Sequence, residues 1–188
     1  IIKIMKFNVN QNELQKSLVY CQGVIEKRST LPILSNILLD AAGSRLKIIA
    51  TDLDLIFINE IKNVEILEEG NTTTVSSTLY DIIRKFNSGK KINFNQTGEN
   101  KIQLESEKSL FNLNCLSAAE FPVTEENFND NVFSLGSKHL LKLLNKCKFS
   151  ISNDETRHYL SGIYIHQTQM GDKTYLTAAA TDSHRMSI

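Results

Sequence analysis

Phe7-Asn8-Val9-Asn10-Gln11-Asn12-Glu13-Leu14-Gln15-Lys16-Ser17-Leu18 changes its periodicity halfway along. Phe7 and Val9 alternate with polar neighbours, the two-residue period of a half-buried strand. After Asn10 the apolar residues fall at Leu14, Leu18, Cys21 and Ile25, spaced i, i+4, i+7 and i+11. That spacing draws one stripe along a helix and suits packing onto a sheet. Asn10, with Glu13 three residues later, supplies a capping-box-like start at the junction. A short strand is therefore predicted to run straight into an amphipathic helix.

The same phrase recurs twice, and a repeat found this early governs the rest. Thr74-Val75-Ser76 leads through Ser77 into Leu79, Ile82, Ile83 and Phe86, stopping near Gly89. Phe133-Ser134-Leu135 leads through Ser137 into Leu140, Leu143, Leu144 and Cys147. Strands are predicted between the helices at Asn36–Asp40, Leu46–Asp52 and Leu55–Ile61, then at Lys91–Asn95, Lys101–Glu105 and Leu110–Leu116. Turn signals such as Gln96-Thr97-Gly98-Glu99-Asn100 separate them. After the third helix come Gly162–Gln167 and Thr174–Ala180, joined at Met170-Gly171-Asp172. The repeating unit reads as strand, helix and three antiparallel strands, an α+β fold. Two units make a first domain, residues 5–124, followed by an acidic linker at Glu125–Asn131. Residues 132–188 read as the first half of a second domain, truncated at Ile188 within a sheet and leaving open edge strands.

At 188 residues and 41% hydrophobic, the chain can bury an ordinary core. No apolar run approaches the roughly 18 residues of a membrane span. Ile1-Ile2-Lys3-Ile4 is too short for an export signal. Met5 reads as the natural start, with the four residues before it an upstream extension or a remnant of cloning. Cys21, Cys115 and Cys147 are odd in number and widely spaced, which argues against a disulfide framework or a zinc site and for a reducing cytoplasm.

Net charge is zero, so any nucleic-acid surface must come from sorting the charges. Lys138, Lys142 and Lys146 recur every four residues, opposite the leucines of the third helix. Arg84 and Lys85 lie off the apolar stripe of the second, with Lys90 and Lys91 close behind. The first helix is less biased: Lys16 and Lys27 face outward beside Glu13 and Glu26. Acids gather in the connections instead, at Glu60, Glu65, Glu68, Glu69, Glu105, Glu107, Glu120, Glu125 and Glu126. Lysine commonly fills a solvated helix face and nothing more. Alternatively, such faces form a sequence-independent phosphate surface, rich in cations and without base-reading groups.

Arg28-Ser29-Thr30-Leu31-Pro32-Ile33-Leu34-Ser35-Asn36 resembles a hallmark loop-to-strand passage of bacterial sliding clamps, the β subunit of DNA polymerase III. Ala50-Thr51-Asp52-Leu53, Ser117-Ala118-Ala119-Glu120-Phe121-Pro122, Arg157-His158-Tyr159-Leu160-Ser161-Gly162 and Ala180-Thr181-Asp182-Ser183-His184-Arg185 match the same family in the same order. The resemblance implies three two-unit domains closing head-to-tail with a second copy into a ring, helices lining the pore and sheets outside. This chain would hold the first domain and half of the second, the third being absent.

The resemblance also implies partners: duplex DNA, the replicative polymerase, the clamp loader and a second copy in a homodimer. It implies no cofactor, metal or membrane. Arg28, Arg84, Lys85, Lys138, Lys142 and Lys146 would meet DNA, with a loop containing Asp154, His158, Tyr159 and Gly162. Asp154 and His158 stand where the family often has glutamine and tyrosine. Ser77 and Thr78 replace a basic pair. Leu160, Thr181, His184, Arg185 and Met186 match one side of a groove for polymerase and loader peptides. Phe111 and Leu113 match the subunit-interface strand. On pattern alone, Leu160 and Met186 also suit a core, Phe111 and Leu113 a buried strand face, and Arg28 and Arg185 plain surface charge.

Two other functions compete. Asp52 and Asp54, two apart on a strand, suggest a metal-dependent nuclease, and Asp182-Ser183-His184 supplies hydrolase residue types. No third ligand is identifiable, adjacent residues do not make a relay, and no Gly-rich phosphate loop is present. A β-rich protein-interaction module without DNA would scatter its basic helix faces.

Overall fold

β1 (Lys6–Asn10) ends at the residue that starts α1 (Gln11–Cys21). The Asn10 side-chain oxygen accepts the Asn12 N–H at 2.9 Å, a cap typically worth about 1 kcal/mol. The reciprocal half of the capping box is not made; Glu13 turns outward to Lys16 at 3.2 Å. The computed structural model describes residues 4–25, 31–122 and 133–188. The chain divides into two compact units, Ile1–Glu125 and Glu126–Ile188.

The first unit continues through β2 (Asn36–Ala42), β3 (Arg45–Thr51), β4 (Ile56–Lys62), β5 (Glu65–Glu68), β6 (Gly70–Val75), α2 (Ser76–Ile83), β7 (Lys91–Gly98), β8 (Lys101–Ser106) and β9 (Ser109–Leu116). Its antiparallel sheet runs β4-β3-β2-β6-β9-β8-β7-β1-β5. The leading strand of each repeat pairs in the other repeat: β1 lies on β7 and β6 on β2. Even the register is reciprocal. Asn10, just before α1, faces Lys91 at the start of β7, and Val75, just before α2, faces Asn36 at the start of β2.

This exchange sets the helices antiparallel on one face of the sheet. Gln11 Nε2 donates to the Ile83 carbonyl at 2.9 Å at one end, and Gln22 Nε2 to Ser76 Oγ at 2.8 Å at the other. Beneath them Leu14, Leu18, Cys21, Leu79 and Ile83 are fully buried against Phe7 and Phe94, whose rings stack at 4.6 Å. Each such aliphatic side chain contributes about 1.5–3 kcal/mol by leaving water. On the opposite face Leu38, Ile49 and Ile58 form a cross-strand row, the first two covered by Phe121 and Ile33.

Three expectations need correction here. The helix after β6 begins at Ser76 and not Ser77; Val75 is its cap, and no side chain bonds that end. Ser76 is buried because it receives Gln22. The acidic run at Glu65–Glu68 is also a strand: β5 pairs with β1, Phe7 facing Ile66. It prolongs β4 past Asn63, whose φ of 58° breaks the strand, so one run of chain supplies both ends of the sheet order. Finally, the third repeat lacks its leading strand. Residues 133–136 carry no regular structure, and α3 (Ser137–Cys147) starts from Gly136 without a side-chain cap.

The second unit packs α3 on β10 (Tyr164–Met170), β11 (Lys173–Thr181) and the short β12 (Met186–Ser187). Its core is small: Cys147, Ala178 and Ala180, with Leu143, Ile151 and Ile163 half-buried around them. Leu140, on the same stripe, is 37% exposed.

Candidate nucleic-acid and peptide interfaces

A residue four positions on lies only about 40° further round a helix, so Lys138, Lys142 and Lys146 share one face of α3. Leu143 and Cys147 occupy the other face and hold it to the sheet. All three lysines are exposed, and none forms an ion pair among the described residues.

The first unit is different. Arg84 is drawn to Asp81 at 3.0 Å and lies over the Tyr80 ring at 5.9 Å. Lys90 meets Glu107 at 3.0 Å and Lys91 meets Glu65 at 2.7 Å, hydrogen bonds that hold both carboxyls below the usual range. Glu60 lies 3.5 Å from Arg45. Lys85, exposed in the turn that follows α2, has no ion pair among the described residues. Arg28 lies outside the described residues, as do Lys27 and Glu26.

The loop after α3 is organised by Asp154. Its Oδ1 accepts the Thr156 N–H at 3.0 Å and the Thr156 hydroxyl at 2.6 Å, and its Oδ2 accepts Arg157 Nε at 2.8 Å. The Thr156 hydroxyl and then Arg157 hold this carboxyl below its ordinary range. Asp154 is thus committed to its own turn. His158 and Tyr159 project outward, Tyr159 73% exposed, with their rings edge-on at 6.0 Å. Gly162 has nothing within 4 Å of where a Cβ would sit. Leu160 is half-buried, its carbonyl taking the Ser152 N–H at 3.0 Å.

Arg157 joins this loop to the β11–β12 turn, its Nη1 donating to Ser183 Oγ at 3.0 Å. Sequence reasoning singled out its neighbours and missed it; the signal available was a cation three residues after Asp154. The turn itself is tightly built. Thr181 Oγ1 donates to the Arg185 carbonyl at 2.7 Å and accepts the Ser183 N–H at 3.1 Å. Asp182 Oδ1 takes the N–H groups of His184 and Arg185, each at 3.0 Å, and its Oδ2 takes Arg185 Nε at 2.9 Å. These bonds leave His184, Arg185 and Met186 exposed in a row, with Arg185 over the Phe149 ring at 5.6 Å.

Asp52 plays the part of Asp182 in the first unit: its Oδ1 accepts the Asp54 and Leu55 N–H groups at 3.0 and 2.6 Å. That commits the carboxylate once paired with Asp54 as a metal candidate. The hydrolase residue types at 182–184 likewise belong to a turn.

On β9, Phe111 is 39% exposed and meets Phe86 edge-on at 5.8 Å, whereas Leu113, at 9%, belongs to the core. β9 pairs with β6 only through Leu116 and Cys115, so most of that edge has no ladder partner among the described residues.

This architecture, a doubled strand–helix–three-strand unit followed by a further helix packed on an antiparallel sheet, is that of the sliding clamps. A sliding clamp from Bartonella birtlesii superposes with a TM-score of 0.92 at 37% identity, over 97% of this chain and 48% of that one. Beta sliding clamps of Caulobacter vibrioides and Escherichia coli are 39% and 33% identical, each over 98% of this chain. This chain spans about half the length of these relatives, 50% and 49%. Residues 5–125 match the N-terminal domain of the DNA polymerase III beta subunit and residues 134–188 match its central domain. The chain belongs to the DNA polymerase III beta subunit family.

Proposed function

We propose that this chain is the DNA-facing and partner-binding portion of a replication processivity clamp, acting without catalysis of its own in the cytoplasm. The observation that carries this reading is α3. Within a family of clamps, it shows three exposed lysines, without an ion pair among the described residues, on the face away from its core.

Enclosure, and not grip, retains the duplex in a closed ring. Phosphate contacts must then be numerous, mobile and individually weak. Lysine suits this: a point charge on a flexible stem, without the bidentate geometry that would fix arginine on one phosphate. In the first unit Lys85 serves the same role, as does Arg28 by the family match; in the second, His158 and Tyr159 are presented on the loop after α3. Asp154, already satisfied, shapes that loop and is not itself a phosphate contact. Replicative polymerase and clamp loader dock elsewhere, as extended peptides laid against Leu160 and the Thr181–Met186 turn. The open edge of β9, with Phe111 beside it, is the surface for closing the ring with a second copy.

The test is the salt dependence of duplex binding by the 188-residue chain, followed by fluorescence anisotropy. Each phosphate contact contributes about 0.9 to the slope of log affinity against log salt. Replacing Lys138, Lys142 and Lys146 by alanine should flatten the slope by up to about that amount per lysine. An unchanged slope would remove α3 from the DNA surface.

A further inference from the structure

The start of α1 fastens the loop that follows α2. Asn10 Nδ2 donates to the Gly89 carbonyl at 3.2 Å. The Gln11 N–H donates to the Lys90 carbonyl at 2.9 Å, and Gln11 Nε2 reaches the carbonyl of Ile83, the last residue of α2. Asn12 Oδ1 accepts the Ser88 hydroxyl at 2.8 Å and the Gly89 N–H at 3.3 Å. Residues 84–90 are therefore held at both ends and at their tip. From the other side Asn87 Nδ2 donates to Glu107 Oε2 at 2.7 Å, and Phe86 turns inward onto the core, edge-on to Phe111.

This fastening exceeds what folding requires. Arg84, Lys85, Asn87, Ser88, Gly89 and Lys90 are all exposed, and water could satisfy most of their polar groups nearly as well. The Ile83 carbonyl also takes the Phe86 N–H at 3.3 Å, so the end of α2 closes without Gln11. Gln11 is nevertheless 2% exposed, with its Oε1 buried and lacking a partner, a net cost to stability. What such bonds supply together is a fixed geometry for a loop that would otherwise be among the first parts to open. The loop carries cations: Arg84 is turned back to Asp81 and Lys90 to Glu107, whereas Lys85 has no ion pair among the described residues.

We propose that Asn12, with Asn10 and Gln11 beside it, is a positioning residue for DNA contact, holding the loop after α2 so that Lys85 meets phosphate from a fixed base. The proposal rests on the duplex-binding reading above. A lysine on a loose loop must order the loop each time it meets a new phosphate; on a fastened loop only its own stem is ordered. The difference matters most where contacts are broken and remade at every step along a duplex.

A double-mutant cycle between Asn12→Ala and Lys85→Ala tests this, with duplex binding by the 188-residue chain read from anisotropy across a salt series. Lys85→Ala should flatten the salt slope by about 0.9. Asn12→Ala should weaken binding about threefold at unchanged slope, because the phosphate contact still forms, and should add nothing once Lys85 is alanine. By amide exchange, Asn12→Ala should deprotect Gly89, and Asn12→Asp, which keeps the acceptor, should restore that protection. If Lys85→Ala flattens the slope but Asn12→Ala leaves affinity unchanged, or weakens it equally with and without Lys85, the positioning role is overturned and the duplex reading stands. A slope indifferent to Lys85→Ala removes the first-unit contact itself and the proposal with it.

Discussion

Cys21 shows how completely the first unit seals its interior. It is fully buried under α1, and that burial pushes its thiol up to about 12. At pH 8 only about one thiol in ten thousand would then be the reactive thiolate. Iodoacetamide should therefore leave Cys21 unmodified in the native chain and alkylate it in urea. Rapid native labelling, read by mass spectrometry, would contradict the packing. Asp182 is the opposite case, a half-buried carboxylate held below its ordinary 3.8 by the N–H groups of His184 and Arg185. A depressed folded value means that its stabilisation is complete above the unfolded value and disappears as pH falls through the folded one. The turn should thus loosen on the acid side of 3.8 and be indifferent to pH near neutrality. The amide shifts of His184 and Arg185 should follow that titration, and Asp182→Ala should remove it.

Leu79 and Leu140 occupy the same position in two copies of one helical stripe, yet their surroundings differ. Leu79 is fully buried between α2 and the sheet, whereas Leu140 is 37% exposed on α3. Leu79→Ala should cost about 2–5 kcal/mol in urea unfolding, and Leu140→Ala under about 1 kcal/mol. Equal costs would mean that periodicity, and not packing, governs these helices. Periodicity was what the sequence displayed well. It located all three helices, the strands from Asn36 to Leu116 and the hairpin after α3 to within a few residues. It failed where stability comes from elsewhere. β5 is short and acidic, and it is held by pairing with β1, a partner far away in sequence. The supposed strand at Phe133–Leu135 has the right alternation and no partner strand among the described residues. Ser76 reads as a strand end because its burial depends on Gln22, fifty-four residues distant. At the sites, cationic spacing on α3 was visible, and so was Asp81 three residues before Arg84, but the pairing of Lys90 with Glu107 and Lys91 with Glu65 was not, since only the fold brings those acids near.

Reciprocal strand exchange makes the first unit cooperative as a whole. Neither repeat can leave the sheet without stripping β1 from β7 or β6 from β2, and both helices share one core with Phe7 and Phe94. The second unit contains one repeat and has no such exchange: its core is Cys147, Ala178 and Ala180, and Tyr164, Ile165 and Tyr175 stay exposed on its hairpin. Opening free energy follows the apolar area an opening must expose, so protection should divide sharply along the chain. In native-state hydrogen exchange, amides of β2, β3, β7 and β8 should exchange only by global unfolding of the first unit. Those of β10 and β11 should exchange by a separate opening at lower denaturant. If DNA engages the α3 lysines as proposed, adding duplex at low salt should slow exchange in α3 without changing β2 or β3, because a ligand stabilises what it binds. A single transition shared by β3 and β11, with or without DNA, would show that the second unit draws its stability from the first and is not an independently opening half.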